Sequence, residues 1–282
     1  MMQRGELIPL TREELADVSA ILYAHTGMVF GESKRYYIER RIADLVRESG
    51  TDSTQAYLAS LDRNARGLEK LINSFTINET YFYREDHQLA CLSQSILPQI
   101  IQRKGPGDRI RILSIPCSTG EEAYSIALWL LENWALVDAY NVEIVGSDID
   151  SAALRDAAVG LFSQRSIGRL PKPVLESYFT VEENAEWRLI SDLRESVSFV
   201  KANIIDQASL VSLGRFDVIF CRNLLIYFDN AARATAAANI HDMLVPGGYI
   251  CLGHTESMTR ISDDFDVARF PEAIVYRRAE IG

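Results

Sequence analysis

A change of pattern at residues 105–107 (Gly-Pro-Gly) constrains the fold of this 282-residue chain more than any other feature. Before this boundary, apolar residues recur at the spacing of amphipathic helices. After it, short β-rich runs alternate with helical stretches, as at residues 110–115, 121–136 and 142–147. Such alternation is typical of a doubly wound, mostly parallel α/β sheet. The sequence therefore predicts a helical N-terminal region followed by an α/β domain.

Breaks in these patterns give the predicted domain boundaries. We expect a small all-α domain over residues 1–85, a linker helix and boundary over residues 86–107, and the α/β domain over residues 108–282. Residues 161–199 interrupt the alternation with prolines and short alternating apolar runs. They predict a small antiparallel β-insert within the α/β domain.

The composition excludes several classes of protein. The net charge is -10, from 29 basic and 39 acidic residues, whereas proteins that bind nucleic acid through phosphates carry the opposite balance. The four cysteines form no C-x-x-C pair, and no metal-ligand pattern stands out. No apolar stretch approaches the roughly 20 residues of a membrane span, and no signal region opens the chain. We expect a cytoplasmic protein with no metal, no nucleic-acid partner and no direct membrane insertion.

Polar residues follow three predicted strands of the α/β domain, where ligands bind in open sheets of this kind. Residues 114–122 form a small-residue turn that lacks the G-x-G-x-x-G of dinucleotide sites; its two acids either complement the helix end or favour a cationic ligand. Asp148 has the spacing of a ribose acceptor, and Asp150 is the predicted N-cap of the next helix. Asn203 lies either near a purine or in a surface turn.

Two further segments combine aromatic with polar residues. Residues 216–228 carry a buried strand directly into Arg222 and Asn223, and Tyr227 follows shortly after. Residues 78–85 (NETYFYRE) alternate aromatic and polar side chains just before the predicted linker helix. Spacing alone leaves two interpretations open for each segment, a ligand site or core packing with solvated charges.

Taken together, these segments resemble the bacterial chemotaxis receptor methyltransferases of the CheR type, which use S-adenosyl-L-methionine to methylate glutamate side chains. The resemblance spans nearly the whole chain and rests on four motifs in the same order. They are NETYFYRE at residues 78–85, STGEEAYSIA at 118–127, SDID at 147–150 and RNLLIYF at 222–228. The family architecture is a small helical domain followed by a Rossmann-like methyltransferase domain with a β-insert, in agreement with the patterns above.

The resemblance implies a role for each matching position. Arg84 and Tyr227 would line the methyl-transfer site. Glu121 is the alternative to Glu122 as a cofactor contact. The implied contacts of S-adenosyl-L-methionine, whose product is S-adenosyl-L-homocysteine, are Asn78, Thr80, Arg84, Glu122, Asp148, Asn203, Ile204, Arg222 and Asn223. Because a glutamate carboxylate is ionised at neutral pH, its attack on a sulfonium methyl needs no general base.

Basic residues are concentrated on the helix predicted over residues 33–49. In the family this region docks on the cytoplasmic methylation helices of chemoreceptors, whose glutamates would attract it. Interleaved acidic residues leave a solvated helix face as the alternative interpretation. The predicted docking residues are Lys34, Arg35, Arg40, Arg41 and Arg47.

Departures from the family pattern bear on partners. Residue 123 is Ala where many members have Pro, and the β-insert is a few residues shorter than in members that bind a receptor-tail pentapeptide. We therefore expect no pentapeptide binding, a monomer, and recruitment to receptor arrays through the receptors themselves. Two other functions remain as alternatives: an S-adenosylmethionine-dependent methyltransferase of another substrate, such as a small molecule or RNA, and a non-catalytic protein that binds the cofactor or a receptor.

Overall fold

The computed structural model describes residues 9–279, whose contacts divide into two compact units. The helical unit contains the described residues through Ile77 together with Tyr227–Ala232. The sheet unit contains Asn78–Ile226 and the described residues from Arg233 onward. Residues 78–85 thus group with the sheet unit by contact, whereas the sequence pattern joined them to the helices. The domain boundaries drawn from the sequence remain a prediction.

The helical unit is built on four helices whose ends follow from local sequence. They are α1 (Arg12–Thr26), α2 (Arg35–Ser49), α3 (Thr54–Leu61) and α4 (Ala65–Phe75). A capping box opens α1, since Thr11 and Glu14 each accept the other's backbone N–H through their side chains. Gly27 and Gly50 end α1 and α2 in the left-handed conformation. One face of α2 is buried through an apolar stripe at helical spacing: Ile38, Ile42, Leu45 and Val46.

The sheet unit begins with a continuous helical segment and then alternates strands and helices. Its helices are α5 (Asp86–Cys91), a π-helical stretch (Leu92–Ile96), α6 (Leu97–Ile100), α7 (Glu121–Asn133), α8 (Ser151–Val159), α9 (Gln164–Ile167), α10 (Lys172–Tyr178), α11 (Ser191–Ser196), α12 (Gln207–Leu210) and α13 (Asn230–Met243). Its strands are β1 (Arg109–Ser114), β2 (Asn141–Asp148), β3 (Leu161–Phe162), β4 (Phe179–Val181), β5 (Trp187–Leu189), β6 (Val197–Lys201), β7 (Phe216–Cys221), β8 (Leu244–Leu252), β9 (Phe265–Arg269) and β10 (Ile274–Arg278).

The main sheet has the order β6-β2-β1-β7-β8-β10-β9. The strands from β6 to β8 are parallel, and β10 is antiparallel to both of its neighbours. A separate antiparallel sheet has the order β3-β5-β4. These observations confirm the predicted fold class, a mostly parallel sheet with a small antiparallel insert. The C-terminal bound predicted for the insert is wrong. Residues 197–199 belong to β6 (Val197–Lys201), which pairs with β2 in the main sheet.

The strand order determines where polar loops meet. From β1 the chain moves outward to β2 and β6, then returns to the other side of β1 for β7 and β8. Every residue of β7 is buried, as expected for a parallel strand covered on both faces. The carboxyl ends of these strands share one edge of the sheet, on which ligands bind in such folds.

Candidate functional site

Asp148 is a buried hydrogen-bond acceptor at the carboxyl end of β2, where it is 4% exposed. Its Oδ2 accepts the N–H of Ser118 at 2.8 Å, and its Oδ1 accepts the N–H of Asp150 at 2.9 Å. Burial raises the pKa of Asp148 to about 6, although these backbone hydrogen bonds act to lower it. Asp150 caps α8, as predicted, through the N–H groups of Ala152 and Ala153. The Asp148 carboxylate keeps lone pairs that can accept further hydroxyl groups.

Asn78 links the loops that follow β1 and β2. Its Nδ2 donates to Asp150 Oδ2 at 2.8 Å, and its Oδ1 accepts the hydroxyl of Ser118 at 2.8 Å. Ser118 itself has φ of 49°, in the left-handed region that side chains rarely adopt. Thr80, also predicted to contact the cofactor, lies two residues further on and is half-buried. The structure thus brings Asn78 and Asp148 into one connected cluster.

Arg222 and Glu122 form a buried ion pair between the ends of β7 and β1. Arg222 is 6% exposed; its Nε donates to Glu122 Oε2 at 2.5 Å and its Nη1 to the carbonyl oxygen of Arg84 at 2.8 Å. Burial alone would lower the pKa of Arg222, but the carboxylates of Glu122 and Glu85 outweigh burial and raise it. The other Glu122 oxygen accepts the hydroxyl of Ser114 at 2.8 Å. The guanidinium of Arg222 therefore fixes both Glu122 and the backbone of residue 84.

Arg84 lies in a loop with a strained backbone. The residues on either side of it, Tyr83 and Glu85, have φ of 57° and 54°. A non-glycine residue in this region costs of order 1–3 kcal/mol, and such residues cluster at ligand sites. The Arg84 side chain is half-buried, donates to the carbonyl oxygen of Glu79 at 2.6 Å, and has its guanidinium carbon 5.7 Å from the ring centroid of Tyr81. Other N–H groups of Arg84 remain for a ligand.

Asn223 is held by a carboxylate that the sequence analysis did not single out. Its φ is 57°, and Glu256 Oε2 accepts its N–H at 2.8 Å. The same oxygen accepts the N–H of Gly253 at 2.9 Å, which ties the loop after β7 to the loop after β8. Glu256 had no sequence signal, since a polar residue in a loop after a strand is common. Ser118 lies in the STGEEAYSIA motif, but its contact with Asp148 was not predicted. Their roles depend on backbone N–H groups that no side-chain motif reports.

The carboxyl end of β6 carries the remaining predicted contacts, Asn203 and Ile204. The Oδ1 of Asn203 accepts the N–H of Ile205 at 3.2 Å. Ile204 is 4% exposed, and its carbonyl oxygen accepts from Nδ2 of Asn239 at 2.7 Å. Both residues are thus placed at the same sheet edge as Asp148, beside it in strand order.

Glu121 and Glu122, adjacent at the start of α7, have different surroundings. Glu121 Oε2 accepts the hydroxyl of Thr119 at 2.6 Å, and Oε1 accepts that of Ser166 at 2.8 Å. Burial raises the pKa of Glu121, while those two hydrogen bonds act to lower it. Glu121 is therefore held by neutral donors, whereas Glu122 is held by the Arg222 cation.

Tyr227 groups with the helical unit by contact. Its carbonyl oxygen accepts the N–H of Val29 at 3.0 Å, and Phe228 forms an isolated bridge with Met28. The Nζ of Lys34 lies 5.3 Å from the centroid of the Tyr227 ring. The role of Tyr227 in methyl transfer remains a prediction.

Two of the five basic residues on or beside α2 are neutralised by acids of the same segment. Arg35 pairs with Glu32 at 2.8 Å and with Glu39 at 2.9 Å. Arg47 pairs with Asp44 at 2.9 Å. These pairs match the predicted alternative of a solvated, self-compensated face.

The other three, Lys34, Arg40 and Arg41, have no carboxylate within ion-pair distance among the described residues. Arg40 is exposed, and the guanidinium carbon of Arg41 lies 4.3 Å from the ring centroid of Tyr37. The Nε of Arg41 is buried without a hydrogen-bond partner. No described carboxylate therefore compensates these three charges.

Residues 9–279 contain neither a metal-binding cluster nor a helix that could span a membrane. No group of three His, Cys, Asp or Glu side chains in that range is arranged to hold a metal ion. No helix in the same range is long and apolar enough to cross a membrane. All four cysteines are buried as free thiols, and burial raises the pKa of Cys221 and Cys251 well above the ordinary value. The polar groups at the sheet edge are therefore the candidate ligand-binding groups of the sheet unit.

Comparisons with known proteins cover nearly the whole chain. A family model described as CheR methyltransferase, all-alpha domain, matches residues 13–76, and one described as CheR methyltransferase, SAM binding domain, matches residues 78–274. Chemotaxis protein methyltransferase 2 from Vibrio cholerae serotype O1 is 42% identical over 277 residues, which are 98% of this chain and 96% of that protein. Chemotaxis protein methyltransferase 1 from Pseudomonas aeruginosa is 33% identical over 89% of this chain and 92% of its own length.

Proposed function

Because this chain belongs to the CheR methyltransferase family and carries its S-adenosylmethionine-binding domain, we propose that it methylates glutamate side chains of chemotaxis receptors. The products are glutamyl methyl esters, which serve sensory adaptation, and S-adenosylhomocysteine. The observation that carries this proposal is the 42% identity, over 98% of this chain, with a chemotaxis protein methyltransferase. The family model of the SAM binding domain matches residues 78–274, the range that holds the polar groups at the sheet edge.

The donor set at the sheet edge fits S-adenosylmethionine. Asp148 is a buried acceptor suited to the ribose hydroxyls, and Asn203 with Ile204 would flank the adenine. Glu122 supplies carboxylate oxygens that can accept a hydrogen bond from the cationic end of the cofactor, with Arg222 balancing their charge. We propose that Arg222 acts mainly by orienting Glu122, because its guanidinium is buried and already bonded. The further proposed contacts are Asn78, Thr80, Arg84 and Asn223.

Methyl transfer to a glutamate carboxylate requires the protein to align the reacting groups more than to supply an acid or a base. When bound, S-adenosylmethionine supplies a methyl group on a positively charged sulfur. A glutamate carboxylate has a reference pKa of about 4.3 and is ionised at neutral pH, so no residue must remove a proton. Arg84 would hold that carboxylate through charge-assisted hydrogen bonds, and Tyr227 would orient its other oxygen. Exclusion of water strengthens both interactions.

Docking of the receptor is the proposed role of α2. The chain carries a net charge of -10, so an acidic receptor segment is repelled by most of its surface. Lys34, Arg40 and Arg41 are the local exception, since no described carboxylate neutralises them. Arg35 and Arg47 contribute less, because their charges are compensated within the helical segment.

The finer partner assignments are also part of the proposal. We propose a cytoplasmic monomer that reaches receptor arrays through the receptors and does not bind a receptor-tail pentapeptide. In support, the strands of the insert are short: β3 has 2 residues, and β4 and β5 have 3 each. An edge this short offers few main-chain hydrogen bonds to an added peptide strand. Titration calorimetry should detect no binding, and micromolar affinity would overturn this part.

Radiolabelled methyl transfer to receptor-containing membranes tests the proposed function. Mild alkali hydrolyses glutamyl methyl esters and releases volatile methanol, whereas N-methyl products are stable. We expect the label to appear in the receptor band and to be released by alkali. Membranes without receptors are the control, and alkali-stable label would contradict the proposal.

A further inference from the structure

A cavity of 180 Å³ opens where β7 and β8 end. Its walls come from residues 225–226 after β7, from residues 255–261 after β8, and from Arg233 in the first turn of α13. Of the proposed cofactor contacts, Glu122, Asp148, Asn203 and Ile204 lie on the other side of the strand-order reversal, at the ends of β1, β2 and β6, whereas Arg222 and Asn223 follow β7. In an open α/β sheet both sides of this reversal are accessible to ligands. The cavity is therefore positioned to receive a second molecule beside the cofactor.

Two arginines give the cavity its chemistry. Arg233 is half-buried, and its Nε donates to the carbonyl oxygen of Leu225 at 2.8 Å, which fixes the guanidinium on the wall. Arg260, the second arginine in the lining, belongs to the segment after β8 and is exposed. In the part of the chain that the structure describes, neither arginine has a carboxylate within ion-pair distance. The remaining N–H groups of each arginine can donate to a carboxylate.

Glu256, the one acid in the lining, is directed to the backbone. Its Oε2 accepts the N–H groups of Asn223 and Gly253, and its Oε1 is buried. The hydroxyls of Thr255 and Ser257 add neutral polar groups to the wall. With two cations against one shielded anion, the lining favours an anionic ligand.

We propose that Arg233 and Arg260 form a subsite for a second carboxylate of the substrate protein, on an acidic side chain near the one that is methylated. This proposal rests on the proposed function, which requires a substrate segment rich in glutamate. The cavity has the volume of several water molecules at about 30 Å³ each, which suits a carboxyl group with its methylenes. Ile226, one of the residues that line the cavity, directly precedes Tyr227 in the chain.

The subsite predicts a change in substrate affinity with unchanged turnover. Arg260→Gln should raise KM for receptor-containing membranes about tenfold, the effect of losing one charge-assisted pair, with kcat within about twofold. Arg260→Lys should restore most of the affinity, because a positive charge returns. Arg269→Gln is the matched control, since Arg269 is an exposed arginine outside the cavity. Calorimetry should give one affinity for S-adenosylmethionine across all four proteins.

A binding measurement separates failure of the subsite from failure of the proposed function. A fluorescent helical peptide of Glu-Ala-Ala repeats should bind the full chain, and Arg260→Gln should weaken that binding about tenfold relative to Arg269→Gln. Equal affinity in these two variants, or no binding to the wild type, overturns the subsite whatever the methylation result. Alkali-labile methylation by the wild type with this loss of peptide affinity supports both proposals. Alkali-stable methylation with the same loss overturns the proposed function alone.

Discussion

Two arginines, one in each unit of this molecule, use positive charge in opposite ways. In the sheet unit, Arg222 is 6% exposed and pairs with Glu122 at 2.5 Å, so its charge is fixed inside the protein. In the helical unit, Arg40 is exposed on α2 without an ion-pair partner among the described residues. Both are arginines of an acidic chain, but only the second is free to attract another molecule.

The difference follows from solvation. A buried charge that loses its partner is strongly destabilising, because neither water nor protein then compensates it. An exposed charge adds little to folding whether or not it is paired, with a typical contribution of 0–1 kcal/mol. The buried arginine therefore organises the site of its own protein, and the exposed one serves association. Variants at the two kinds of position should affect different measurements.

The largest expected effect comes from breaking the buried pair. Arg222→Leu should lower the free energy of unfolding by about 3–5 kcal/mol, because Glu122 is left as an unpaired buried charge. Urea denaturation measures this loss, and Arg40→Gln is the exposed control, with a change within about 0.5 kcal/mol. The double variant Arg222→Leu/Glu122→Leu should recover much of the loss. If Arg222→Leu lowers the free energy of unfolding by less than about 1 kcal/mol, the pair does not organise the fold.

Arg84→Ala should reduce turnover about a hundredfold, because the variant loses the group that holds the attacking carboxylate. Tyr227→Phe should cause a smaller loss of turnover. Affinity for S-adenosylmethionine should change far less than turnover in both variants. Calorimetry measures that affinity, and a loss of cofactor binding equal to the loss of turnover would reassign these residues to the cofactor site.

Lowering the pH should weaken cofactor binding through Asp148. Its pKa is about 6, so most of the carboxylates are protonated at pH 5 and accept ribose hydroxyls poorly. We expect the dissociation constant to rise about tenfold from pH 7 to pH 5, and Asp148→Asn to remove this pH dependence.

Asp148 affects folding stability in the opposite direction: a lower pH weakens cofactor binding but favours the folded state. Because its folded pKa lies above the ordinary 3.8, ionisation of Asp148 costs stability above about pH 6, and that cost is relieved as the pH falls. Weaker binding at pH 5 should therefore accompany a folded protein, which circular dichroism can verify. A dissociation constant that is the same at pH 5 and pH 7 would contradict the assigned acceptor.

The smallest effect separates unpaired from paired charges on α2. Arg40→Gln should raise KM for receptor-containing membranes about threefold, whereas Arg47→Gln should leave it unchanged, because Asp44 already compensates Arg47. The difference should shrink in high salt as surface charges are screened. Equal effects in the two variants would indicate that pairing within the helix does not decide which charges dock.

Local rules predicted much of this structure. The cap at Asp150 depends on a few neighbouring residues and was predicted from them. The Thr11 capping box and the buried stripe of α2 depend on equally local spacing. The alternation after residue 107 predicted the parallel sheet for a similar reason.

Features that depend on distant backbone groups could not be predicted. The Glu256 oxygen that holds the N–H of Asn223 bridges 33 residues, and no spacing rule reports it. The grouping of residues 227–232 with the described residues through Ile77 is likewise a matter of tertiary contact. On α2, the sequence showed interleaved charges, but only side-chain geometry separated the paired arginines from the unpaired ones.

The central claim, that this chain esterifies glutamate side chains of chemoreceptors, is tested most directly by mass spectrometry of a receptor incubated with the protein and S-adenosylmethionine. We expect peptides heavier by one methylene group, with fragment ions that place the addition on glutamate. Mild alkali should remove this added mass. The Arg84→Ala protein should produce about a hundredth of that signal in the same time. A methyl group on lysine, arginine or any residue other than glutamate would contradict the claim.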